Sequence, residues 1–236
     1  MLYYIILTGD KKMNWVRKSI RNSKRIRDHY KMHEIDIYIK EPLPEHINAD
    51  LVFSSISKMI PSHLLRGIDI IYVGEFKVFK EKRVNAVYQD GAIYVTNNQD
   101  IEEDMIDDII HECAHSVEET FKDYIYNDNL LKREFLGKRR KLHALLDAYS
   151  YKPPSKLRSE VYYDKEIDMY LYKDVGYETL WNMIGSLFPT PYSITSLREY
   201  FAIGFEEHFM KGNNSLKRDC PLLYSKLIGL EYMEDK

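Results

Sequence analysis

Residues 107–119, DDIIHECAHSVEE, hold two imidazoles and several carboxylates at a spacing that can do chemistry. Their centre, His111-Glu112-Cys113-Ala114-His115, reads H-E-x-x-H. On an α-helix, side chains four apart share a face, because about 3.6 residues make a turn. One ion can therefore bind His111 and His115 together. Zinc suits such a site, since it takes imidazole nitrogens, thiolates and carboxylates in a tetrahedral set. Glu112 follows the first histidine and points to the flank of that face. There it can reach a water activated by the metal rather than the metal itself. A carboxylate so placed takes the proton of a water that attacks a peptide carbonyl, then passes it to the leaving amine. This is the mechanics behind H-E-x-x-H. The alternative is a pair of hydrogen-bonded histidines in a helix core.

A catalytic zinc needs a third protein ligand and an open fourth position. The stretch after His115, SVEETFKDY, carries no histidine to supply it. The second candidate helix, Thr195 to Met210, is apolar on nearly every side and so reads as buried. Glu199 lies within it. A buried carboxylate is costly unless paired with positive charge or a metal. Glu206, two turns on and on nearly the same face, is its rival as third ligand. Ala202 and Gly204 would let this helix approach another closely.

The residues between must place these groups. Ile101, Met105, Ile109, Cys113, Val117 and Phe121 recur four apart and predict an amphipathic helix of about twenty residues around the histidines. Asp100 with Glu103 offers a capping box at its start. Upstream, strands are expected over 2–8, 34–40 and 67–74, and a helix over 49–61 that Pro61 stops. A basic helix is expected over 13–31, with its charges solvated. Residues 84–97 read as a hairpin turning at Asp90-Gly91, since both residues tolerate positive φ. Its second strand, Ala92–Thr96, has the reading of an unpaired edge, to which an extended peptide could add by main-chain hydrogen bonds. Residues 124–190 mix helical stretches with a tyrosine-rich polar segment. A last helix starts at Pro221, in the first-turn position proline favours. Strands in the first hundred residues and helices afterwards make an α+β protein.

The 236 residues are 44% apolar, enough for a sizeable core in a single domain. With 34 Lys and Arg against 37 Asp and Glu, no global charge draws the chain to nucleic acid or an acidic membrane. Two cysteines, Cys113 and Cys220, make no disulfide framework. The start, MLYYIILTGDKK, lacks the features of a signal peptide, and no stretch has the length to span a bilayer. The expected location is cytoplasmic, with signal-independent export as the other route.

The pieces DGAIYV, IIHECAHSVEE and PYSITSLREYFAIGF resemble the catalytic domain of anthrax lethal factor and its smaller relatives, the secreted Pro-Pro endopeptidases. The resemblance covers about 35–125 and 185–230 and is clearest in those pieces. It implies a zincin-like fold: a small twisted sheet with the active-site helix, and a helical lobe delivering the third ligand. On that plan residues 1–236 are one catalytic domain. About 1–123 form the sheet lobe with the active-site helix, about 124–190 an insertion or lid, and about 191–236 the ligand-bearing helices. The resemblance also implies a ligand set of His111, His115 and Glu199 around one zinc ion, with Glu112 as general base. It makes Tyr192, seven residues before Glu199, a helper at the tetrahedral intermediate, where its phenol could donate a hydrogen bond to the oxyanion. The chain departs from its relatives in the longer 124–190 segment and in a start that is not expected to act as a signal peptide. The expected activity is a zinc endopeptidase acting on a protein or peptide bound in extended form. An intracellular regulatory protease cutting a repressor-like protein shares that chemistry. A scaffold with a structural metal is the non-enzymatic alternative.

Overall fold

The computed structural model describes residues 28–82, 84–211 and 214–233. The strand expected over 2–8 lies outside the described residues, as does most of the helix expected over 13–31. Residues 28–31 of the latter are described, and they belong to a strand.

In chain order the elements are β1 (Asp28–Met32), β2 (Ile35–Ile39), α1 (Ala49–Met59), β3 (Ile70–Val73), α2 (Lys77–Lys82), β4 (Ala86–Gln89) and β5 (Ala92–Val95). Then follow α3 (Glu102–Thr120), α4 (Lys122–Tyr126), α5 (Leu130–Ala148), α6 (Lys165–Met169), α7 (Tyr177–Ile184), α8 (Leu197–Glu206), α9 (Asn214–Asp219) and α10 (Pro221–Glu231). The fold is α+β, with a mixed five-stranded sheet early and helices thereafter.

The chain divides into two compact units. The first takes the described residues up to Ser54 with Ile68–Asp108, and the second takes Ser55–Gly67 with Ile109 onward. The first unit holds the sheet, in the order β1-β2-β3-β5-β4. β2, β3 and β5 run parallel, and β1 and β4 lie antiparallel at the two edges. In β2 the alternation expected of a half-buried strand is present: Ile35, Ile37 and Ile39 are buried and the residues between them are not. On the intervening positions Tyr38, Tyr72 and Tyr94 stack across β2, β3 and β5, with centroids 6.1 and 5.4 Å apart. The hairpin turns where expected, Asp90 at φ 50° and Gly91 at φ 80°, and it pairs Gln89 with Ala92.

Strand β5 corrects one expectation. It is no edge, because β3 pairs with one side of it and β4 with the other. Alternation shows that a strand has two faces but not how many neighbours it has.

The second unit is helical. Helix α3 crosses the division between Asp108 and Ile109, so the H-E-x-x-H residues belong to this unit rather than to the sheet. Residues 124–190 fall in the same unit. Helix α3 starts at Glu102, leaving Asp100 one residue short of the capping position. Helix α8 is buried almost throughout, as its composition predicts. A Cβ at Gly204 would fall inside the Leu223 side chain of α10, so the glycine lets the two helices approach. Pro221 opens α10 in its first turn. Among the described residues no helix is long and apolar enough to cross a membrane.

Candidate metal centre

His111 and His115 stand one turn apart on α3, their ring centroids 4.8 Å apart and their planes at 84°. Glu199 comes from the first turn of α8. The N-cap of that helix is Ser196, whose hydroxyl accepts the Glu199 amide at 3.1 Å. Ser196-x-x-Glu199 spells a capping box, in which the glutamate would reach back to the serine amide. Here the carboxylate turns to the imidazoles instead. Its Oε2 lies 3.2 Å from His111 Nε2 and its Oε1 3.8 Å from His115 Nε2.

One donor atom from each of His111, His115 and Glu199 lies within 4.8 Å of the others. Glu199 Oε2 is buried and faces His111 Nε2 without a well-aligned hydrogen bond. A buried carboxylate oxygen left so is costly, and a cation relieves it. Two imidazole nitrogens and one carboxylate match the donor chemistry of a catalytic zinc. These residues therefore fit the ion.

The far side of each ring is also occupied. His111 Nδ1 hydrogen-bonds Glu206 Oε1, so the two acids of α8 divide one imidazole between them. His115 Nδ1 lies 3.5 Å from Glu118 Oε2 and 3.0 Å from Arg198 Nε. Arg198 Nε is also 3.1 Å from Glu118 Oε2, and Glu118 Oε1 accepts the Tyr126 hydroxyl at 2.6 Å. The tautomer chooses between these contacts. If Nδ1 accepts from Arg198, Nε2 carries the proton and has no lone pair for a metal. If Nδ1–H faces Glu118, Nε2 is free to ligate and Arg198 pairs with the carboxylate. A metal-binding histidine characteristically donates its other N–H to a carboxylate or carbonyl, and Glu206 and Glu118 stand where that donation needs them.

Burial alone would pull the His111 pKa down. Hydrogen bonding and charge from Glu199 and Glu206 outweigh it and push the value up to about 10. Burial works to raise the Glu199 pKa, but His111, His115 and Arg198 hold it below the usual carboxylate range. Glu112 follows His111 on α3 and is buried. Tyr192 opens the short 3₁₀ turn Tyr192–Ile194 just ahead of α8 and is 40% exposed. Burial, then the charge of Glu199, raises its phenol pKa, so it is a proton donor at neutral pH.

The structure thus gathers His111, His115 and Glu199, with Glu112 on the helix of the histidines and Tyr192 in the turn just ahead of the helix of Glu199. Sequence reading missed Glu118, Arg198 and the part played by Glu206. Glu118 sits three residues after His115, a helical neighbour that the spacing alone could have flagged. No protein-family model, curated protein or solved structure matches this chain.

Proposed function

We propose that this protein is a zinc-dependent endopeptidase with a zincin-like architecture, resembling the lethal factor catalytic domain and the Pro-Pro endopeptidases. One observation carries the reading: Glu199 turns its buried carboxylate to two imidazoles at once, Oε2 toward His111 Nε2 and Oε1 toward His115 Nε2. A structural zinc usually takes four protein ligands. Among the described residues the donor group has three, which favours catalysis over a scaffold.

His111, His115 and Glu199 hold the ion. When bound, zinc supplies Lewis acidity toward a water and the scissile carbonyl. Glu112 accepts the proton of the attacking water and returns it to the leaving nitrogen. Tyr192 donates a hydrogen bond to the developing oxyanion. Glu206 holds the His111 ring by Nδ1 and so keeps Nε2 aimed at the ion. The substrate class is a protein or peptide in extended form, and a repressor-like protein inside a cell belongs to that class.

Glu112→Gln should retain stoichiometric zinc while losing turnover on a proteome-derived peptide library. His115→Ala should lose both. A glutamine variant that cleaves as fast as the parent would sink the mechanism.

A further inference from the structure

Arg139 lies on α5 in the run Lys138-Arg139-Arg140-Lys141, a composition that reads as a solvated face. Its side chain is instead wholly buried, at 0% exposure. Among the described residues the guanidinium donates to main-chain carbonyls. Nε and Nη2 reach Ile194 O at 2.9 and 2.6 Å, Nη2 also reaches Thr195 O at 2.9 Å, and Nη1 reaches Glu160 O at 2.6 Å. It lies over the Phe135 ring, 4.7 Å from the centroid. Among the described residues it has no carboxylate in an ion pair. Burial lowers the Arg139 pKa while the charges of Glu160 and Asp164 work against it, and with no carboxylate in direct contact the cost of burying the cation falls on its hydrogen bonds to the main chain.

What it holds is the start of α8. Ile194 ends the Tyr192 turn and Thr195 joins it to the Ser196 cap, which stands three residues before Glu199. Glu160 precedes Val161, whose carbonyl accepts the Leu197 amide at 2.8 Å. Helix α5 grips α8 a second time, where Tyr200 donates to Glu134 Oε1 at 2.8 Å. Metal coordination tolerates errors of only a few tenths of an ångström, so whatever fixes the first turn of α8 decides whether Glu199 can ligate.

We propose that Arg139 is a positioning residue: its clamp on the 194 and 195 carbonyls sets Glu199 within reach of His111 and His115 before any metal binds. This rests on the metal-centre reading above.

The test compares Arg139→Lys and Arg139→Gln with Leu142→Ala, which removes a buried side chain from the same helix but none of the clamp's hydrogen bonds. Zinc affinity is read by competition with a chromophoric chelator, and ligand geometry by the visible absorption of bound Co2+. The folded Arg139 variants should bind zinc roughly 10–100-fold more weakly, as when a ligand's support is lost, and show an altered Co2+ band. Leu142→Ala should match the parent. Parent-like binding and spectra in the Arg139 variants would overturn the proposal, as would equal weakening in Leu142→Ala. Hydrogen exchange on the unmodified, chelator-treated protein keeps the question open to refutation if the variants do not fold. The Thr195 and Leu197 amides should exchange as slowly as those of α5. Protection that appears only after zinc is added would mean that the metal orders this segment, and the clamp would be discarded. An unmodified protein that binds no zinc would defeat the metal reading, while the exchange pattern would still judge the clamp.

Discussion

His111 carries the sharpest electrostatic consequence of the site. Its ring lies between Glu199 at Nε2 and Glu206 at Nδ1, and both acids favour the imidazolium. With its pKa pushed up to about 10, chelator-treated protein holds His111 as a cation at neutral pH. Zinc must displace the Nε2 proton to bind there. We therefore expect release of about one proton per zinc at pH 8, and an affinity that climbs with pH until His111 titrates. Calorimetry in buffers of different ionisation enthalpy reads the proton directly. Ordinary histidines would be neutral at pH 8 and release almost none. The stability sign follows from the same shift. A raised folded pKa gives His111 a stabilising share that is complete below its unfolded value near 6.5 and lost as pH rises through about 10. Glu199, lowered, stabilises above its unfolded value near 4.5 and ceases to as pH falls through the depressed one. Denaturation of chelator-treated protein should lose stability toward pH 10, and His111→Gln should flatten that alkaline limb.

At the scale of elements, much of the architecture follows from local chemistry. The four-residue recurrence through Ile109, Cys113 and Val117 gave α3, and Asp90-Gly91 gave the β4–β5 turn. Both signals lie within a few residues of what they specify. Strand order does not, because β5 takes β3 and β4 as neighbours through contacts remote in sequence. The choice between Glu199 and Glu206 stayed open for a related reason. Seven residues is two helical turns, so both acids share a face, and only the packing of α8 shows which nitrogen each one meets. Arg139 was invisible, since a basic run looks alike whether solvated or turned inward. Gly204 was legible as a close approach, and it gives a prediction. A Cβ there collides with the end of Leu223, itself fully buried. Gly204→Val should cost about 1–3 kcal/mol, the usual penalty of overpacking, seen as a lower urea midpoint. Adding Leu223→Ala should recover part of the loss, because the two side chains compete for one space. Simple additivity in that cycle would mean that α8 and α10 do not meet there.

Across the whole molecule, the candidate metal links parts of the second unit that are far apart in sequence. His111 and His115 arrive on α3 and Glu199 on α8, more than eighty residues later. Whatever binds the three together binds the folded state and not the unfolded chain, and so stabilises it by mass action. At a free zinc concentration about 1,000-fold above the dissociation constant, the gain is about 4 kcal/mol. For a chain of this size each kcal/mol moves the melting temperature by about 2–4 °C, so zinc should raise it by roughly 8–16 °C over chelator-treated protein. The His115→Ala variant should show almost none of that rise, because Nε2 of His115 is one of the three donors. Since all three belong to the second unit, added protection from hydrogen exchange should concentrate in residues 109–211 rather than in strands β2, β3 and β5. Scanning calorimetry with zinc and with chelator decides the matter. Equal melting temperatures in the two would mean that these donors hold no ion, and the carboxylate turned away from its capping box would need another cause.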